Sequence, residues 1–116
     1  MNGTYKLIGR LGSGSSACEA MLALSSLPYE TEDLDHWPDR QPPAGLTALN
    51  PLGQVPVLIL PDGTVLTESA AIVMHLANLS KPAKLAPEPG TVEHAQYLRL
   101  MLFLAANVYM TDLCWY

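Results

Sequence analysis

The sequence predicts an α/β fold in which a mixed sheet forms in the order β-α-β, then β-β-α, and a helical segment follows. Two observations support this prediction. Short segments of extended character occur at residues 5–8, 29–34, 57–60 and 64–66, and turn residues separate them. Apolar residues at helical spacing lie between the first two segments and after the last one. The 116 residues suffice for one domain of ordinary size.

The first three elements form a predicted βαβ unit, which should be right-handed with parallel strands. Residues 5–8 supply the first strand, and the loop at 9–16 is rich in glycine and serine. Ser16 and Glu19 have the spacing of a capping box, so the helix is expected to begin at Ser16. Its apolar face is expected to comprise Ala20, Met21, Leu24 and Leu27. The second strand follows at about 29–34.

The next two strands form a predicted hairpin. Pro56 cannot donate to a strand ladder, so it belongs at a strand start or in a tight turn. Asp62 and Gly63 are typical residues of a hairpin corner, which would join the strands at 57–60 and 64–66. The sequence therefore predicts a strand, a turn and a second strand here.

A helix closes the predicted domain. It opens around Ser69 in the N-cap position, and its apolar residues are Ile72, Val73, Leu76 and Leu79. Residues 35–49 are irregular and contain three prolines, with a short helix expected near their end. The resulting order, β-α-β-β-β-α, is the thioredoxin-like arrangement, and we assign it to residues 1–80. Residues 81–90 form a proline-rich linker, and 91–116 show a long helical pattern.

Composition argues against several classes of function. The net charge is −5 and the six Lys and Arg residues are scattered, so nucleic acid is not expected as a partner. Cys18 and Cys114 are far apart and the three histidines are isolated, so neither a disulfide framework nor a metal site is expected. The longest apolar run, residues 100–106, is too short to span a membrane. The first four residues lack the layout of a signal peptide, which favours a cytoplasmic protein.

The segment from residue 54 to residue 72 resembles the signature of glutathione transferases, in which Q-V-P-x-L precedes a strand, a turn, a strand and an E-S-x-A-I helix. The matching residues are Gln54, Val55, Pro56, Leu58, Glu68, Ser69, Ala71 and Ile72. The resemblance implies a cytoplasmic enzyme that uses glutathione as co-substrate, needs no metal and attacks an electrophilic small molecule.

The same resemblance implies a glutathione site. Pro56 would follow a cis peptide bond, and the backbone of Val55 would pair with the cysteinyl part of glutathione. Glu68 and Ser69 would bind the γ-glutamyl end, and Gln54 the glycyl side. Free N–H groups and the dipole at a helix start favour a carboxylate there, which agrees with these roles.

In this family a hydroxyl or thiol in the loop after the first strand stabilises the thiolate. The loop at residues 12–18 contains no tyrosine and resembles the serine- and cysteine-type bacterial subgroups. An ungapped comparison places their cysteine on Gly14 and the following serine on Ser15. Hydroxyl donation is then expected from Ser15 or, as the next candidate, from Ser13. Cys18, inside the helix, is expected to be a small buried residue.

The resemblance extends more weakly to residues 91–116, which look like the first helix of the family's all-helical second domain, truncated here. Such a helix would expose a large apolar surface when alone, so a homodimer or other self-association through 91–116 is expected. Two alternatives stay open for Trp37: it lines the glutathione site or it covers the sheet. Arg10 either adds positive field or is an ordinary surface residue.

A different class of function also fits, namely a non-catalytic transferase-like module for protein assembly. Such a module would tolerate loss of Ser13 and Ser15, whereas an enzyme would not. A dithiol oxidoreductase is disfavoured because the sequence contains no C-x-x-C pair.

Overall fold

A computed structural model describes residues 3–80 and 84–110. The elements are β1 (Tyr5–Gly9), α1 (Ser15–Ser25), β2 (Tyr29–Asp33), α2 (Ala44–Leu49), β3 (Val57–Ile59), β4 (Val65–Thr67), α3 (Ser69–Leu79) and α4 (Val92–Phe103). A short 3-10 turn at Pro38–Arg40 precedes α2, and a π-helical stretch at Leu104–Tyr109 continues α4.

The four strands form one mixed sheet in the order β2-β1-β3-β4. β1 and β2 are parallel, as expected for strands joined by a crossover helix. β3 is antiparallel to both β1 and β4. The predicted thioredoxin-like α/β fold, with a helical region after it, is therefore confirmed.

Hydrophobic residues pack on both faces of the sheet. Successive side chains of a strand point to opposite faces, so Leu7 and Ile8 contribute to two different clusters. One cluster lies against α1 and α3; its buried members are Leu7, Cys18, Leu22, Leu58, Ile72 and Leu76. The other lies against α2; its buried members are Ile8, Leu46 and Val57. The sheet is thus covered by helices on both sides.

The hairpin between β3 and β4 forms at the predicted corner. Gly63 has a φ of 88°, a conformation that glycine adopts without steric cost. The backbone N–H of Thr64 donates to the Asp62 carboxylate at 2.9 Å, and this bond lowers the pKa of Asp62. Local turn chemistry therefore determines this part of the fold.

Helix α1 differs from its prediction in two ways. It begins at Ser15 with Gly14 as N-cap, and no side chain caps it, so the predicted Ser16–Glu19 capping box is wrong. Ser16 lies inside the first turn, where its N–H already bonds to the Ser13 carbonyl at 3.3 Å. The predicted apolar face is only partly correct: Met21 and Leu27 pack against the core, whereas Ala20 and Leu24 are exposed. The buried positions are instead Ser15, Cys18, Leu22 and Ser25, because that side of the helix faces the sheet.

Helix α3 has the predicted core face except at its end. Ile72 and Leu76 are fully buried, whereas Leu79 is 40% exposed. The predicted N-cap is one residue off: Glu68 occupies that position, and Ser69 is the first helical residue.

Helix α4 begins where Thr91 caps it, with the Thr91 hydroxyl accepting from the His94 N–H at 3.1 Å. No residue of α4 or of the π-helical stretch is buried. Residues 81–83 and 111–116 lie outside the described residues, so the predicted bounds of the linker and of the final helix stay predictions. Across residues 3–80 and 84–110, no helix combines the length and apolar character needed to cross a membrane.

The outer strand β2 is exposed and acidic. All five of its residues, YETED, are exposed. Its Glu32 forms an ion pair with Lys6 of β1 at 2.6 Å. The other outer strand, β4, has only three residues.

Candidate functional site

The strand registers bring four loops to one edge of the sheet, namely the edge at which β1, β2 and β4 end and β3 begins. Gly9 lies opposite Asp33 at the ends of two parallel strands. Val57, at the start of β3, lies opposite both Ile8 and Thr67. The segments after β1, β2 and β4 and the segment before β3 therefore meet at this edge, which contains every site residue that the sequence predicts.

The segment before β3 presents an unpaired backbone. The Val55–Pro56 peptide bond is cis, as the resemblance implied. Pro56 is buried and Val55 is half-buried. Within the described residues, no group forms a hydrogen bond with the N–H or C=O of Val55. Both groups are therefore available to a ligand that binds in an extended conformation.

A buried asparagine fixes this segment, and the sequence prediction missed its role. Asn50 is 7% exposed. Its side-chain N–H donates to the Gln54 carbonyl at 3.0 Å, and its Oδ1 accepts from the Leu52 N–H at 3.2 Å. Asn50 thus holds the carbonyl immediately before Val55. An asparagine opening an N-P-x-G turn was the available signal.

The segment after β4 carries the start of α3. Glu68 has a φ of 69° and a ψ of 113°, a region that few non-glycine residues adopt and one associated with functional sites. Its side chain is exposed, and in the described part of the chain its carboxylate has no ion-pair partner. Ser69 is half-buried, and the first N–H groups of an α-helix lack partners within the helix. This helix start can therefore bind a carboxylate.

Cys18 joins the starts of α1 and α3. Its Sγ lies 3.9 Å from the Gly14 carbonyl oxygen and 3.8 Å from that of Ser69. The side chain is fully buried, and desolvation raises the pKa of the thiol to about 12. A thiol in this state is not a nucleophile at neutral pH. The expectation of a small buried residue is confirmed.

The two candidate serines bond to their own loop. Ser15 is 5% exposed, and its Oγ accepts from the Arg10 N–H at 3.1 Å. The Ser13 hydroxyl donates to the Arg10 carbonyl at 2.6 Å and lies 2.8 Å from the Ser15 hydroxyl. The Ser15 hydroxyl also lies 3.1 Å from the Arg10 carbonyl. Both hydroxyl protons are therefore used inside the loop.

Arg10 and Trp37 stack at the same edge. The guanidinium carbon of Arg10 lies 4.9 Å from the centre of the Trp37 ring, within range of a cation–π contact. Arg10 Nη1 lies 3.3 Å from Nδ1 of His36. Trp37 is half-buried against the cluster formed by Ile8, Leu46 and Val57, so it covers the sheet. Among the described residues, no group of three or more His, Cys, Asp or Glu side chains is arranged to bind a metal.

Comparison with known proteins agrees with this geometry. Residues 15–79 match the family model described as the N-terminal domain of glutathione S-transferases. The chain belongs to the glutathione S-transferase family. It is 39% identical over 108 residues to YncG of Escherichia coli (strain K12), which is named an uncharacterized GST-like protein. It is also 36% identical over 88 residues to Glutathione S-transferase 3 of Schizosaccharomyces pombe.

A solved structure matches the fold closely. The glutathione transferase homolog from Sulfitobacter, crystallised with bound glutathione, superposes with a TM-score of 0.84 over 94% of this chain at 30% identity. The chain covers 52% of that structure, 51% of YncG and 36% of the S. pombe relative. The match to YncG covers 91% of this chain, and the match to the S. pombe relative covers 76% of it. This chain therefore spans about half or less of their length.

Proposed function

We propose that this protein binds glutathione at the sheet edge and stabilises its thiolate for attack on an electrophilic small molecule. One observation carries the proposal. The unpaired backbone of Val55 lies at the same sheet edge as the start of α3 at Glu68 and Ser69. A short peptide with a carboxylate and an ammonium at one end complements this combination of an extended backbone and a helix start.

Each part of glutathione would have its own partner. The backbone N–H and C=O of Val55, which Pro56 follows in cis, would pair with the cysteinyl unit. The N–H groups at the start of α3 and the Ser69 hydroxyl would bind the γ-glutamyl carboxylate. The Glu68 carboxylate would accept from the α-ammonium group, and Gln54 would contact the glycyl unit.

Stabilisation of the thiolate needs a positive field and a hydrogen-bond donor. The start of α1 supplies the field, because the helix dipole is positive there. Ser15 and Ser13 are the donors that the sequence predicts. Either hydroxyl would first have to give up a bond to the Arg10 carbonyl or to the other serine. The thiol proton would leave to solvent, and the sulfur would form the new bond to an electrophilic carbon. Either a leaving group would depart with its bonding electron pair, or the electrons of an activated double bond would move to its far carbon, which would take a proton from solvent.

The remaining features of the proposal concern the whole protein. The apolar residues that α4 exposes support self-association, and a homodimer is the simplest form of it. We place the protein in the cytoplasm, where glutathione is abundant enough to act as a co-substrate.

Calorimetric titration of the chain with reduced glutathione tests the site. We expect Glu68→Gln to weaken binding by about 10- to 100-fold, because a hydrogen bond to a charged group contributes about 1.5–3 kcal/mol. The matched control is Glu88→Gln, which changes an exposed carboxylate in the segment before α4. Absence of binding by the parent chain, or equal affinity in Glu68→Gln and the parent, would contradict the proposal.

A second function is favoured by the occupied serine hydroxyls. If neither Ser13 nor Ser15 donates a hydrogen bond to the glutathione sulfur, a non-catalytic module that binds glutathione or a protein partner fits the same fold. Glutathione binding without any shift in the ionisation of the bound thiol would select this alternative.

A further inference from the structure

The position beside the start of α1 is filled by a residue from the other end of the chain. A Cβ atom built on Gly14 would lie 3.0 Å from the hydroxyl oxygen of Tyr109 and 3.4 Å from its Cζ. Gly14 is the N-cap of α1, and Tyr109 is the last residue of the π-helical stretch. The phenol thus occupies the space into which a side chain at position 14 would project.

The bonding and exposure of the Tyr109 hydroxyl, as far as the described residues define them, suit it to act there. Within residues 3–80 and 84–110, no group forms a hydrogen bond with it. The side chain is 41% exposed, so a ligand at the sheet edge has access to it. In contrast, the hydroxyls of Ser13 and Ser15 are bonded to the loop backbone and to each other. Unlike Ser13 and Ser15, Tyr109 can therefore donate without breaking a bond to another described residue.

The π-helical geometry is consistent with this role. π-Helical turns are uncommon and often occur at functional sites, since the extra residue in the turn changes the direction of the side chains that follow. Here the π-helical stretch is Leu104–Tyr109, and its final residue contacts Gly14.

We propose that Tyr109, and neither Ser13 nor Ser15, donates the hydrogen bond to the thiolate of bound glutathione. This inference rests on the proposed function. The thiol proton leaves to solvent, and the Tyr109 O–H keeps its own proton while donating to the sulfur. Tyr109 is then a catalytic residue that contacts the thiol from the C-terminal helical segment. Gly14, which has no side chain, leaves space for the phenol.

The test follows the ionisation of bound glutathione by its thiolate ultraviolet absorbance as the pH is varied. We expect Tyr109→Phe to raise the pKa of the bound thiol by about one to two pH units, because it removes one hydrogen bond to a charged group. Affinity for S-methylglutathione, which cannot form a thiolate, should change less than twofold. The control Tyr29→Phe, on the outer strand, should leave the thiol pKa unchanged. A rise of the thiol pKa in Ser13→Ala as large as that in Tyr109→Phe would overturn the assignment of Tyr109 as the donor.

A second variant tests the contact from the other side. Gly14→Ala keeps a permitted backbone, since Gly14 has a φ of −61°, but its Cβ would meet the phenol at 3.0 Å. We expect a smaller rise in the thiol pKa than in Tyr109→Phe. If the chain binds glutathione and Tyr109→Phe leaves the thiol pKa unchanged, this inference alone is overturned. If the parent chain binds no glutathione, the proposed function fails and this inference fails with it.

Discussion

Two regions of this molecule contrast in how they bury apolar residues. The sheet unit, residues 3–80, packs its apolar side chains into clusters on both faces of one sheet. The C-terminal segment, residues 84–110, is also rich in leucine and other apolar residues, yet none of its helical residues is buried. Its exposed large apolar residues are Val92, Leu100, Leu102, Phe103, Leu104, Val108, Tyr109 and Met110.

The contrast shows that apolar content alone does not create a core. In the sheet unit, helices α1, α2 and α3 each have a sheet face to cover. In the C-terminal segment, α4 has apolar residues nearly all round, and its most protected positions, such as Tyr97 and Met101, are only half-buried. A helix that is apolar on every side normally has neighbours on every side. The stability of the described fold should therefore come mainly from the sheet unit.

The largest expected effect is the difference between two identical truncations. Leu58→Ala, at a fully buried position in β3, should lower the free energy of unfolding by about 2–5 kcal/mol, because it removes buried methyl groups and leaves a cavity. Leu102→Ala, at a position 59% exposed in α4, should change it by less than about 0.5 kcal/mol. Urea denaturation followed by circular dichroism measures both. A cost for Leu102→Ala as large as that for Leu58→Ala would show that α4 is packed in solution.

The buried thiol of Cys18 makes the free energy of unfolding of the sheet unit depend on pH. The pKa of Cys18 is about 12 in the folded protein, against an ordinary value of 9.0. Between these pH values the unfolded chain loses the thiol proton while the folded protein keeps it. The Cys18 contribution therefore lowers the free energy of unfolding by about 1.4 kcal/mol for each pH unit above 9.0.

Comparison with Cys18→Ala isolates this contribution, with Cys114→Ser present in both proteins as background. The parent should lose stability more steeply than the variant as the pH rises above 9.0. Parallel stability curves for the two proteins over this range would contradict the burial of the thiol.

The smallest expected effect concerns the exposed surface of the C-terminal segment. If the apolar residues of α4 mediate self-association, Leu102→Glu should weaken it by about tenfold or more, since a carboxylate would have to be desolvated at the contact. Light scattering over a range of concentrations measures the effect. The matched control is Leu11→Glu, at an exposed leucine outside this segment. A parent chain that stays monomeric at high concentration would rule the interface out.

Local signals in the sequence were sufficient for much of the fold. The Asp62–Gly63 corner and the parallel pairing of β1 with β2 depend on short-range turn chemistry and on chain connectivity, and both were predicted. The face of α1 was predicted only in part, because the helix is rich in alanine and serine and offers several apolar stripes. Which stripe is buried depends on how the helix lies on the sheet, which places Leu22 inside and Leu24 outside.

The candidate site shows the same division. The segments that contain Val55 and Glu68 follow from a sequence signature and from strand register, so the sequence located them. The partners of a serine hydroxyl are not visible in a sequence, and the bonds of Ser13 and Ser15 to Arg10 appear only in three dimensions. The contact between Gly14 and Tyr109 joins opposite ends of the chain, and no local pattern indicates it.

The two outer strands of the sheet, β2 and β4, have a consequence for aggregation. Unpaired backbone groups along an outer strand can pair with strands of other molecules, and proteins oppose this with charged or very short outer strands. β2 carries Glu30, Glu32 and Asp33 along its exposed length, and β4 is only three residues long. A second molecule approaching either edge would meet like charge or too short a ladder. Growth of cross-β fibres from the folded state is therefore opposed, and contacts between copies are directed to side chains on the helices.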